Sequence, residues 1–335
     1  MRHVPHTRHL MDEELSGLLE SAAKRGTCLA AVDARRRKAL SLRRDAGVLL
    51  SPRPGMFAET SLWQSLDARE KHLHIARAMA TKRPETVFCA TTAALAYGFS
   101  VSLNGAFGTD VTRIHVMGGP GSHASRRCGT EYHAHVEDET WRSSGLLVTS
   151  PARTVFDCAR TLTFPDALAI ADSALRSGLM ESEGLARLVG EGRGLKGIAK
   201  AVAVLRRMDA RAESGGESLL RARIIELGYK VPELQVQFEN PVEPGKPFRI
   251  DMLSRRADGG RVALELDGRW KYENDAMLGG RDLIAVLLDE RQREAAVTAC
   301  GLEIMRVRYK DLLDDARLTR LLDAYRIPKA HACGC

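Results

Sequence analysis

Asp251 lies in "FRIDML", and Glu265 and Asp267 lie in "RVALELD", two short runs in which apolar and polar residues alternate. Alternation with period two is the repeat of a β-strand, whose successive side chains point to opposite faces. Val262, Leu264 and Leu266 then face a core, while Glu265 and Asp267 emerge together on the other face, about 7 Å apart. By the same rule Phe248, Ile250 and Met252 send Asp251 away from their own face. If the two strands pair across the turn "RRADGG", Asp251 comes to lie beside Glu265 and Asp267 on one face of a sheet. Adjacent carboxylates repel one another unless they are protonated, solvated or neutralised by a cation. Grouped in this way they suit Mg²⁺ or Mn²⁺, hard ions that take oxygen ligands. Such an ion can lower the pKa of a bound water and polarise a phosphodiester. The same alternation also describes the wet face of an ordinary antiparallel strand.

Two further residues join the candidate site. Glu217 falls on the first turn of the helix "GESLLRARIIELGY", where it could assist a metal or a water, or act only as a favourable charge at a helix N-terminus. Lys271 follows Asp267 by four residues in "DGRWKY" and is either a point charge for a phosphate or an exposed turn lysine.

The elements that must position these residues follow "RMDARAESGGES", a small, polar segment read as a hinge. Then come a helix, the strands "LQVQFEN", "FRIDML" and "RVALELD", a long helix ended by Gly301, the strand "LEIMRVR" and a closing helix. An αβββαβα order, a meander followed by a helical crossover, predicts a mixed sheet with helices packed against it.

With 335 residues the chain exceeds one ordinary core, and two or three domains are expected. Its 44% hydrophobic and 28% charged residues match a globular protein. The N-terminus lacks a signal-peptide pattern and no run of 18 apolar residues occurs, so a cytoplasmic protein with no membrane role is expected. Seven scattered cysteines make no disulfide framework, and His331, Cys333 and Cys335 read as a solvated tail rather than a zinc site. The net charge of +7 is concentrated early, with 11 Lys and Arg against 6 Asp and Glu in residues 1–55. An excess of this sign points to nucleic acid as a partner.

That basic region reads as a helix over residues 12–24 opened by acids, one or two short helices in "CLAAVDARRRKALSLRRDAG", and a hairpin "VLLSPRPGMFA". Helix, turn, helix and hairpin is the order of a winged helix. Arg35, Arg36, Arg37, Lys38, Arg43 and Arg44 fall on the stretch that would enter a major groove, or form a solvated basic face. Strands and helices alternate afterwards. The loop "GGPGSHASRRCG" lacks the Lys-Ser/Thr of a phosphate-binding loop and is read as a connection, and His133 and His135 are read as exposed residues sharing one strand face.

Two resemblances attach to these segments. "TSPARTVFDCAR" with "ALAIADSALRSGL" resembles the AbiEi-type antitoxins, and "VLLSPRPGMFA" resembles the wing of that family, over roughly residues 12–210. This implies a DNA-binding N-terminus and a possible toxin partner. Residues 213–315, with Glu217, Asp251, "ELDG" and "RQREAAVTACGLEIMRV", resemble the very-short-patch-repair-like endonuclease domains of the PD-(D/E)xK superfamily. This implies a restriction-endonuclease-like core, Mg²⁺ or Mn²⁺ held by Asp251, Glu265 and Asp267, and catalytic roles for those acids with Glu217 and Lys271. The family motif ends in lysine where this chain has Asp267, which either moves that role to Lys271 or abolishes cleavage. The expected organisation is an α/β (α+β) chain: a winged helix over 1–60, an antitoxin-like α/β region over 61–210 and an endonuclease-like domain over 213–327. The expected activity is metal-dependent DNA cleavage, the alternative a non-catalytic DNA-binding regulator or antitoxin.

Overall fold

The computed structural model describes residues 5–103, 107, 112–267 and 283–330. Lys271 and the His331, Cys333 and Cys335 tail lie outside them. The fold is mixed α/β, and the chain divides into two compact units: residues 1–105 with 109–158, and residues 106–108 with 159–335.

The first unit opens with α1 (Pro5–Lys24), β1 (Leu29–Ala30), α2 (Ala34–Asp45) and the hairpin β2 (Leu49–Arg53) and β3 (Met56–Glu59). Helix, helix and hairpin follow in the expected order, but Leu29–Ala30, read as part of a helical stretch, is a short strand, and the three strands form a sheet in the order β1-β3-β2. Leu15 and Leu19 of α1, Leu40 of α2, Leu49 and Phe57 close a small core. The first helix begins earlier than residue 12. Its acids therefore lie mid-helix, where Asp12 and Glu14 meet arginines of α2 instead of capping an end.

After α3 (Thr60–Ser65) and α4 (Ala68–Lys82) come β4 (Val87–Phe88), α5 (Ala90–Tyr97), β5 (Ile114–Met117), β6 (Ser125–Arg127), β7 (Thr130–His133), β8 (Thr140–Ser143) and β9 (Leu146–Thr149). These strands form a mixed sheet in the order β6-β7-β5-β4-β9-β8. The loop read as a mere connection contains β6, whose residues are all exposed. Two tight hairpins fix the outer strands. Cys128-Gly129 and Ser144-Gly145 have positive φ at both central residues (45° and 74°, 50° and 79°), the requirement of a type I′ turn. Ile114, Val116, Phe88, Leu146 and Val148 bury one face against α4 and α5.

From α6 (Pro151–Thr161) the chain enters the second unit, with α7 (Phe164–Arg176), α8 (Ser182–Glu191), α9 (Ile198–Leu205) and α10 (Gly215–Glu226). Then follow β10 (Glu233–Phe238), β11 (Phe248–Arg255), β12 (Arg261–Asp267), α11 (Leu283–Ala299), β13 (Leu302–Arg308), a 3₁₀ turn (Tyr309–Leu313) and α12 (Asp315–Ala324). The sheet order is β10-β11-β12-β13, antiparallel until β13, which pairs parallel to β12 as a helical crossover requires. One face carries Leu219, Leu220 and Ile224 of α10 against Met252, Val262, Leu264, Met305 and Val307. The other face carries Val297 of α11 against Ile250, Leu253, Ala263 and Leu302.

The segment read as a hinge is a packed joint. The fully buried Asp172 of α7 meets Arg221 of α10 at 2.6 Å and accepts from the Asp209 backbone N–H, while Arg176 donates to the Ala212 carbonyl. The antitoxin-like helices from residue 159 onward and the C-terminal sheet thus belong to one unit.

Candidate functional site

The basic helix has two kinds of cation. Asp33 caps α2 by accepting from the Arg36 backbone N–H at 2.7 Å. The Arg36 guanidinium bonds Glu14 at 2.5 Å, Arg43 bonds Asp12, and Arg44 bonds its neighbour Asp45 at 2.7 Å. Arg35, Arg37 and Lys38 are exposed and have no acidic partner among the described residues. Of the six cations predicted from sequence, these three remain open to an external anion. Arg53, at the tip of the hairpin, turns inward and donates to the Gly129 and Thr112 carbonyls and the Thr130 hydroxyl. Burial pushes its pKa down.

The acids of the C-terminal sheet are arranged differently. Glu217 accepts from the Ser214 hydroxyl at 2.7 Å and the Glu213 backbone N–H at 2.9 Å, and the Gln235 amide reaches it at 3.3 Å. Burial, aided by the neighbouring charges of Asp251 and Glu213, holds its carboxyl above the usual glutamate range despite those bonds. Asp251 is therefore in electrostatic reach of Glu217. Glu265 faces Arg293 of α11 at 3.5 Å and Arg306 of β13 at 3.8 Å. Asp267 is exposed and sits in register with Arg308, whose guanidinium bonds Asp311 at 3.2 Å and whose charge is stabilised by Asp311 first and by Asp267 to a smaller extent.

Strict alternation does not hold through β11. Phe248, Ile250 and Met252 were expected on one face, but Phe248 and Ile250 pack on the α11 side and Met252 on the α10 side. The break coincides with Gln235 in the facing strand, whose φ of +56° is a left-handed conformation inside β10. A residue in that region rotates the strand locally, so side-chain direction can no longer be counted off by twos. Among the described residues, Asp251, Glu265 and Asp267 do not form a group with all ligand atoms within 4.8 Å of one another. The Glu265 carboxylate already has two guanidinium neighbours.

Among the described residues one group does meet that criterion: His115 of β5 with Glu131 and His133 of β7. The pairing His115↔Glu131 between parallel strands brings the residues side by side, and His115 Nδ1 lies 2.9 Å from His133 Nε2. His133 is thus half-buried and partnered with His115, not an exposed mate of His135, whose ring reaches the Gly118 carbonyl beyond the end of the strand. Glu131 accepts from Arg126 at 3.2 Å, and although burial raises its pKa, Arg126 and the two histidines hold it below the usual range. His115 and Glu131 escaped the sequence reading because the parallel register joining them is long-range.

Residues 86–207 match the AbiEi antitoxin C-terminal domain family. The chain is 36% identical over 246 residues to the uncharacterized protein MT2308 of Mycobacterium tuberculosis strain CDC 1551 / Oshkosh, covering 72% of this chain and 83% of the relative. The same identity and coverage hold for the uncharacterized protein Rv2248 of M. tuberculosis strain H37Rv. No solved structure matches the chain significantly. Among the described residues no helix is long and apolar enough to cross a membrane.

Proposed function

Because this chain belongs to the family of those two mycobacterial proteins and carries an AbiEi antitoxin-like domain, we propose that it is a cytoplasmic, DNA-binding regulator of antitoxin type. The observation that carries this reading is the exposed trio Arg35, Arg37 and Lys38 on α2, which has no acidic partner among the described residues and lies next to the β2–β3 hairpin. In a winged helix the second helix enters the major groove and its cations meet phosphates, while the hairpin serves as the wing. The AbiEi-like region is the part that would engage a toxin protein. The C-terminal sheet acts as a nuclease-like scaffold, its Glu265 held by Arg293 and Arg306.

A metal-dependent endonuclease is the second reading, supported by the αβββαβ order and by Glu217 lying in electrostatic reach of Asp251. It would use Asp251, Glu265 and Asp267 to hold Mg²⁺ or Mn²⁺, with Glu217 and Lys271 assisting attack by water. Glu265 would first have to exchange its arginines for the ion.

Duplex DNA binding of the full chain, measured by fluorescence anisotropy with EDTA and then with Mn²⁺, tests the assignment. A regulator binds equally well in both and leaves plasmid DNA uncut. Nicking that requires Mn²⁺ and disappears in Asp251→Ala would replace it with the nuclease.

A further inference from the structure

We infer that His115, Glu131 and His133 form a binding site for one borderline divalent transition ion, Zn²⁺ by preference, that clasps β5 to β7. The three side chains lie on the sheet face away from the core of Ile114 and Val116, and their ligand atoms already lie within 4.8 Å of one another. Two imidazole nitrogens and one carboxylate oxygen are a common zinc donor set, with the fourth position left for water. Nitrogen donors disfavour Mg²⁺ and Ca²⁺, which take oxygen.

The geometry needs little adjustment. Zn–N bonds of about 2.05 Å at tetrahedral angles place two nitrogens about 3.3 Å apart. The His115 Nδ1 to His133 Nε2 separation is 2.9 Å, a hydrogen bond in which one ring donates and the other accepts. Zn²⁺ would replace the shared proton and spread the rings by a few tenths of an ångström. Glu131 is the third ligand, in register with His115 and two residues from His133 on the same strand face. Its present partner Arg126 is 67% exposed, so that ion pair contributes little and gives way to a metal at small cost. Both ring-bearing strands are fixed from below by the buried core, so the donor set is presented by the sheet rather than by loops.

The test uses the full chain with Cys333→Ser and Cys335→Ser, which removes thiols that could bind zinc independently, stripped with chelator and titrated with Zn²⁺ against a chromophoric competitor. One Zn²⁺ per chain is expected, with visible d–d bands of tetrahedral intensity when Co²⁺ is substituted. His133→Ala and Glu131→Gln should each weaken binding by at least about 100-fold, since loss of even an outer partner of a ligand costs about 10–100-fold. His135→Ala should bind like its parent. Glu131→Gln preserves shape, so a melting temperature in chelator equal to the parent's shows that lost binding is not lost folding. No binding by the parent, or binding unchanged in His133→Ala, overturns the assignment.

Discussion

The basic helix α2 and the acidic strand β12 look alike as charge runs, yet the fold treats them oppositely. On α2, Arg36, Arg43 and Arg44 are bound to acids, while Arg35, Arg37 and Lys38 are left open. On β12, Glu265 and Asp267 both face arginine, and the next strand supplies Arg306 and Arg308 in register. A charge that the protein leaves unpaired is available to a partner, whereas a charge already paired needs a competitor strong enough to displace its mate. Charge count is thus a poor guide to a binding site, and pairing is a better one.

The largest effect should come from the most deeply buried ion pair among the described residues. Arg221→Met strands the buried Asp172 carboxylate and should cost about 3–5 kcal/mol in urea unfolding, with most of it regained by adding Asp172→Leu. A cost below about 1 kcal/mol would show that this pair is dispensable. Next is Asp311, a nearly buried carboxylate whose pKa burial raises but whose hydrogen bonds from Arg308, with the Arg308 and Arg317 charges, bring below the usual range. A folded-state pKa below the unfolded value contributes stability above the unfolded pKa, near 4, and loses it as pH falls through the folded one. Asp311→Asn should therefore lower stability by about 1 kcal/mol at pH 7, and the gap should narrow as pH falls below about 4. A gap that widens in acid would reverse the assigned sign. Smallest is Glu265→Gln, expected to change stability by less than about 1 kcal/mol because its arginines are partly exposed. In the same variant, DNA affinity should be unchanged or higher, as Arg293 and Arg306 are released. Weakened DNA binding there would mean that Glu265 holds a metal or positions the DNA-binding surface.

Much of this architecture was legible because local patterns agree with it. "VLLSPRPGMFA" gave its hairpin through Pro54-Gly55, and the C-terminal αβββαβα order followed from runs whose periodicity matches their partners. The strands β6 and β8 were not legible, because "SRR" and "TWRS" are mostly exposed and show no apolar alternation, although Cys128-Gly129 and Ser144-Gly145 carry their turn chemistry. The packing around residues 207–218 was hidden for a similar reason: composition reveals flexible residue types, while Asp172 and Arg221 are 49 positions apart and pair only in the folded chain. At the candidate sites, residue types could be read but pairing could not. Nothing local announces that Glu14 occupies Arg36, or that Gln235 turns the strand beside Asp251.

The dependence of duplex DNA affinity on salt tests the role of α2 most directly, because log K falls by about 0.9 per phosphate contact for each unit of log salt concentration. Replacing Arg35, Arg37 and Lys38 together by alanine should flatten that slope by about 2 to 3, whereas replacing the paired Arg36 and Arg44 should flatten it by less than about 1. A slope unchanged in the first variant, or flattened more in the second, would contradict DNA binding through the open cations of this helix.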